Sequence, residues 1–210
     1  MISASYADGA LSTEEILREM EHRFANELQL IASLLHYSAR HASSREAQHA
    51  LAEVASRVEV VIDNRIGAQS SSATDLVAVL GGVVQRLAAL AGPLGIRIEL
   101  DVAGEVIAHR KKTLGIALCV NELVTNAIKH AFGREGSRTS GAEVKVSVEA
   151  RPEAALTVIV EDSGSPITGP LRATGDGRHQ GLDLVSRLAA ANGGLMIWPD
   201  GESKKFEIRF

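Results

Sequence analysis

The chain has 210 residues, enough for one ordinary domain or two small ones. A hydrophobic content of 45% is that of a folded protein, a net charge of −4 leaves no basic footprint for nucleic acid, and an aromatic content of 3% provides no base-stacking platform. The N-terminal MISASYADGA lacks the basic-then-apolar pattern of a signal peptide, and no apolar stretch is expected to reach the roughly 18 residues of a membrane span. A soluble, cytoplasmic protein with no nucleic-acid or membrane partner is expected. The single cysteine, Cys119, falls in an apolar helical run and is expected to be a buried, inert thiol.

In chain order, residues 1–11 are expected to be disordered, and residues 12–67 show helical periodicity. Leu17, Met20, Phe24, Leu28, Ile31 and Leu35 recur at helical spacing and form a seam. Ser12 followed by Glu15 has the pattern of a helix start. HASSRE, residues 41–46, breaks the pattern, and a second helix carries Ala47, Leu51, Val54, Val58 and Val61. Two helices joined by so short a break predict an antiparallel hairpin, and a second copy would complete a four-helix bundle. Residues 68–74 are small and polar and form a linker.

Residues 75–210 then alternate in type. Helices are predicted at 75–90, 110–132 and 181–192. Strands are predicted at 96–102, 143–150, 155–162, 195–198 and 205–210, the last two around the turn PDGE. The class is α+β: a helical hairpin followed by a two-layer sandwich of helices on a mixed or antiparallel sheet.

Four stretches carry chemistry. In EHRFANELQLIASLL, residues 21–35, His22 points roughly 160° from the seam at 100° per residue. Asn26 shares its direction and Arg23 is adjacent, so His22 is accessible to a partner, as any surface histidine is. In NELVTNAIKHAF, residues 121–132, Glu122, Asn126 and Lys129 share a face at i, i+4 and i+7. An amide oxygen there suits Mg²⁺, a lysine suits phosphate, and a glutamate can take a proton; the same residues also suit a solvated helix face. In EDSGSPITG, residues 161–169, Asp162 can accept from an adenine amino group and Gly164 gives a base access to the backbone, but a plain turn has the same composition. In ATGDGRHQGLDLV, residues 173–185, Gly181 opens a helix whose N–H groups can cradle phosphate, or ends a loop without a ligand.

The order of these stretches resembles the two-component sensor histidine kinases. It is closest to the HWE-like, second phosphoacceptor class, whose phosphoacceptor segment reads HR-x-x-N-x-L-Q. The resemblance runs from about residue 11 to the end. It implies a dimerisation and phosphotransfer hairpin at 12–67 and a Bergerat-type ATP-binding domain at 75–210, with ATP and Mg²⁺ as cofactors. His22 matches the phosphoacceptor and Glu122 the acid near it. Arg23 lies beside the transferred phosphoryl group, and Asn26 is placed to orient a water for the reverse reaction. Asn126 matches the magnesium ligand, Lys129 a phosphate-side residue, Asp162 the adenine-reading aspartate, and Gly164 and Gly181 the glycines lining the nucleotide.

Two positions depart from the family pattern. Pro166 stands where the first glycine box has its second glycine, and His179 stands where the next box has its first. Proline lacks an N–H and fixes φ, which narrows the conformations open to that loop. The implied partners are a response-regulator receiver domain, a second copy of the chain, and a separate sensor protein, since about ten residues precede the first helix. A histidine phosphotransferase with a retired nucleotide site and an anti-sigma-type serine kinase share the fold and are the alternatives.

Overall fold

The structure, a computed structural model, describes residues 12–66, 73–104, 106–132, 141–150, 156–164, 180–199 and 204–210. The elements are α1 (Thr13–His41), α2 (Arg45–Ile66), β1 (Ala73–Asp75), α3 (Leu76–Ala91), β2 (Arg97–Ala103), β3 (Ile107–His109), α4 (Arg110–Asn126), β4 (Glu143–Ala150), β5 (Leu156–Asp162), α5 (Gln180–Ala191), β6 (Leu195–Ile197) and β7 (Lys205–Arg209). The chain divides into two compact units, residues 1–58 and 59–210.

In the first unit, α1 starts at a complete capping box. Ser12 Oγ accepts from the Glu15 N–H at 3.2 Å, and Glu15 Oε2 accepts from the Ser12 N–H at 2.7 Å. Two of the N–H groups that a helix start leaves unpaired are satisfied in this way. Residues 42–44 separate α1 from α2. The predicted seam divides. Ala25 and Ala32 are buried and Leu28 and Leu35 partly so, whereas Met20, Phe24 and Ile31 are 60%, 43% and 46% exposed. On α2 the buried position in this unit is Ala55, while Val54 is exposed. The seam prediction counted large side chains only. The buried positions are alanines, whose small size lets another backbone come close.

The second unit is a two-layer sandwich. Its sheet has the order β2-β4-β5-β7-β6, with β2 and β4 parallel and the other neighbours antiparallel. Alternation along β4 and β7 sets one face inward, while β5 is buried on both faces from Leu156 to Val160: Val144, Val146 and Val148 on β4, Val158 and Val160 on β5, and Phe206 and Ile208 on β7 join one core with residues of α3, α4 and α5. Burying one such side chain is worth about 1.5–3 kcal/mol relative to exposing it. The predicted strands agree with the observed ones to within a residue or two at each end; the PDGE turn lies outside the described residues. A second, two-stranded sheet pairs β1 with β3. Neither strand was predicted, because three residues are too few to show a period of two. Residues 73 and 74, expected to be linker, belong to β1.

Two expectations about helices need correction. Residues 76–94 are long and apolar enough to cross a membrane by length and composition. Their apolarity belongs to the core: Leu76, Val79, Leu80, Val83, Val84 and Leu87 are buried against the sheet and its helices. Residues 110–132 do not form one α-helix. The α geometry ends at Asn126 and a wider π-type turn runs over Ala127–Ala131.

Candidate functional site

The second unit's site is set by how closely α4 and α5 pack. The two helices run antiparallel, and three contacts record their register. A Cβ on Gly115 would stand 2.2 Å from Asn192 Nδ2. The Cys119 thiol points at the Val185 carbonyl, 3.7 Å away. A Cβ on Gly181 would stand 3.0 Å from Asn126 Nδ2, 3.3 Å from Asn126 Oδ1 and 3.4 Å from Glu122 Oε2. Glycine at 115 allows the helices this close, glycine at 181 relieves a tight contact with Asn126, and the close packing brings the first turn of α5 to Asn126. The first N–H groups of a helix have no partner within it, so the amino end of α5 offers donors beside an amide oxygen and a carboxylate.

The structure therefore brings Glu122, Asn126 and Gly181 together. Glu122 is 5% exposed and Asn126 is partly buried. Lys129 lies three residues farther on, inside the π-type turn, and is also partly buried. A wider turn advances each residue through a smaller angle, so Lys129 lags the direction that i+7 α-helical spacing gives it. Such turns recur at functional sites.

Asp162 and Gly164 form a turn of their own at the end of β5. Asp162 Oδ1 accepts from the Gly164 N–H at 2.9 Å. Burial pushes the Asp162 carboxyl above its ordinary range, with Glu161 reinforcing the shift; the Gly164 N–H and the charge of Lys204 oppose it. Ser163 was not singled out in the sequence, and it anchors this turn. Its hydroxyl accepts from the Glu143 N–H at 2.9 Å and donates to the Gly141 carbonyl at 3.1 Å, and its own N–H donates to the Glu143 carbonyl at 2.9 Å. No local pattern marks this role, since the partners of the Ser163 hydroxyl lie 20 and 22 residues away in sequence. Pro166 and His179 lie outside the described residues.

Cys119 is fully buried, and burial, followed by the nearby Glu122 charge, pushes its thiol up to about 12. It is a packing residue, as expected.

In the first unit, His22 is exposed on α1 together with Glu15, Arg18, Asn26 and Gln29, as the helical angles predict. Arg23 is also exposed and leans one turn back, its Nε 2.8 Å from Glu19 Oε1.

Two family models match the chain in succession. One, described as histidine kinase, covers residues 19–91; the other, described as histidine kinase-, DNA gyrase B- and HSP90-like ATPase, covers residues 111–210. The chain belongs to the histidine kinase family. The first model spans His22, Arg23 and Asn26, and the second spans Glu122, Asn126, Lys129, Asp162, Gly164 and Gly181. The sensor histidine kinase PdtaS of Mycolicibacterium smegmatis is 30% identical over 187 residues, which are 86% of this chain and 36% of that protein. The blue-light-activated histidine kinase 2 of Erythrobacter litoralis is 29% identical over 165 residues, 76% of this chain and 46% of that one. This histidine kinase chain thus spans less than half the length of these curated relatives. The solved histidine kinase domain of the Erythrobacter litoralis EL346 blue-light-activated kinase has the same fold, with a TM-score of 0.66 at 22% identity over 94% of this chain and 91% of that one.

Proposed function

We propose that this chain is an ATP-dependent protein histidine kinase that phosphorylates His22 and passes the phosphoryl group to an aspartate of a response-regulator receiver domain. The observation that carries the proposal is the contact of Gly181 with Asn126 and Glu122 at the amino end of α5. A side chain at 181 would fill the space in front of the amide and the carboxylate. Glycine keeps that space for phosphate oxygens, which the α5 N–H groups and Lys129 bind. Among the described residues no three His, Cys, Asp or Glu side chains gather to cage a metal. One amide oxygen on Asn126 fits Mg²⁺, which keeps waters and phosphate oxygens as its other ligands and, when bound, neutralises charge on the transferring group. Asp162 accepts from the adenine amino group, and Gly164 admits the base edge.

In the reaction, a ring nitrogen of neutral His22 forms a bond to the γ-phosphorus and the bond to the ADP oxygen breaks. Glu122 accepts the imidazole proton. Arg23 holds the transferred group by charge, and Asn26 orients water for the reverse, phosphatase-type reaction. The catalytic contribution is positioning and charge stabilisation. The proposed domains are a phosphotransfer hairpin at 12–67, a linker at 68–74 and an ATP-binding domain at 75–210. The exposed apolar residues Met20, Phe24, Leu30, Ile31, Leu34 and Tyr37 on α1 support a homodimer in which a second copy covers them and completes a four-helix bundle. The cytoplasm, where ATP and receiver domains occur together, is the proposed location.

Titration of the full chain with a non-hydrolysable ATP analogue, with and without Mg²⁺, tests the nucleotide half of the proposal. Mg²⁺-dependent binding that Asn126→Ala abolishes is the expected result. No binding in the wild type, together with His22-dependent labelling by a phosphorylated receiver domain, contradicts ATP use. It would identify a histidine phosphotransferase, the reading that the Pro166 and His179 departures favour.

A further inference from the structure

The boundary between the two compact units falls inside a helix. α2 runs unbroken from Arg45 to Ile66, yet residues from Glu59 onward belong to the second unit. Two features of that unit hold the end of α2. Val60 is fully buried and joins the core that contains Leu76, Leu80 and Val83. Arg86, on α3, reaches two carboxylates one turn apart on α2. Its Nε lies 3.6 Å from Glu59 Oε2, and its Nη1 pairs with Asp63. Asp63 also lies against Gly82, one turn before Arg86 on α3: a Cβ there would stand 3.6 Å from Asp63 Oδ2, at ordinary contact distance. The ion pairs are partly desolvated, with side-chain exposures of 27% for Arg86 and 30% for each acid. Burial pushes the guanidinium pKa down, and the Glu59 charge opposes that shift. A planar fork with two donor edges suits two acceptors at this spacing, which an ammonium group does not match.

We infer that Arg86 is a positioning residue for phosphoryl transfer, fixing the last two turns of α2 to the ATP-binding unit through Glu59 and Asp63. Arg86 touches no reacting atom. It holds the end of α2 that belongs to the ATP-binding unit, and α2 is one helix from Arg45 to Ile66. The role rests on the kinase activity proposed above. Loosening the anchor lowers the rate of transfer and leaves nucleotide binding intact, because Asn126, Asp162 and Gly181 belong to other elements.

The test uses the full chain as wild type, Arg86→Met, Arg86→Lys, and the exchanged pair Arg86→Glu with Asp63→Arg. Arg86→Met keeps the apolar stem that packs beside α2 and removes the charge. Autophosphorylation rate, affinity for a fluorescent ATP analogue, and backbone hydrogen exchange across residues 59–66 are measured for each. Arg86→Met is expected to lower the rate roughly tenfold to a hundredfold, the scale of a small misplacement of reacting groups. Analogue affinity should stay within about twofold of wild type, exchange through 59–66 should quicken, and the exchanged pair should recover much of the rate; Arg86→Lys should fall between. Rate and affinity falling together would overturn the inference in favour of general destabilisation, and an unchanged rate would overturn it outright. A wild type that takes no label contradicts the kinase proposal instead. The anchor is then decided by exchange alone: faster exchange at 59–66 in Arg86→Met, with α4 and the sheet unchanged, supports it, and unchanged exchange overturns it.

Discussion

Asp162 carries opposed demands in one side chain. In the proposed role an adenine amino group donates to it and is held most strongly by the ionised carboxylate, while partial burial favours the neutral acid and raises the carboxyl's pKa. A group whose folded pKa lies above its unfolded value stabilises the fold fully below the unfolded pKa, and that contribution is lost as pH rises through the folded one. At neutral pH the ionised Asp162 is therefore a cost to the ligand-free chain. Asp162→Asn keeps an oxygen for the Gly164 N–H and removes the buried charge. Its expected effect in a thermal melt at pH 7 is a melting temperature equal to wild type or raised by up to about 4 °C, with the difference shrinking toward pH 4. The same substitution should weaken binding of an adenine nucleotide by about tenfold to a hundredfold, because the amide places a donor against a donor. A lower melting temperature together with unchanged affinity would show that Asp162 is structural. Asp162 was visible in the sequence as an acid ending an apolar strand. Ser163, which pins the same turn to Gly141 and Glu143, was not, because its partners lie about twenty residues away in sequence.

At the scale of elements, the site depends on how α5 meets α4. Gly181→Ala puts a methyl group 3.0 Å from the Asn126 amide nitrogen, tighter than ordinary van der Waals contact. Alanine is also the better helix former, by up to about 1 kcal/mol in a helix interior and by less in the first turn, where residue 181 stands. The two effects separate: the variant should melt at or slightly above the wild-type temperature and bind Mg·nucleotide about tenfold more weakly, as calorimetry can show. Loss of stability without loss of affinity would place Gly181 outside the site. The strands β2, β4 and β7 were legible because each is long enough to alternate, and β5 because it is a short, mostly apolar run, buried from Leu156 to Val160. β1 and β3 were not, because three residues show no period and their pairing is decided by the register Ala73↔His109. The π-type turn at Ala127–Ala131 leaves no mark in the residue pattern either, since Ile128 and Lys129 suit an α-helix equally well. Of the site, the residue types and their order were legible; the closeness of α4 and α5 was not, because it is set by the contact of Gly115 with Asn192, 77 residues away in sequence.

For the whole molecule, the proposed homodimer makes a prediction of its own. The exposed apolar residues of α1 are too many and too large for an ordinary solvated face. Sedimentation of the wild type at micromolar concentration should give a dimer, and Phe24→Glu with Ile31→Glu should give a folded monomer with unchanged nucleotide affinity. A wild-type monomer would mean that some other partner covers the stripe. The central claim is that a phosphoryl group moves from ATP to His22. The measurement that tests it most directly is incubation with γ-labelled ATP and Mg²⁺, comparing wild type, His22→Ala and Asn126→Ala. Acid-labile, alkali-stable label on the wild type that both substitutions abolish is the predicted result. Label that survives His22→Ala, or no label on a wild type shown to bind nucleotide, would contradict the account.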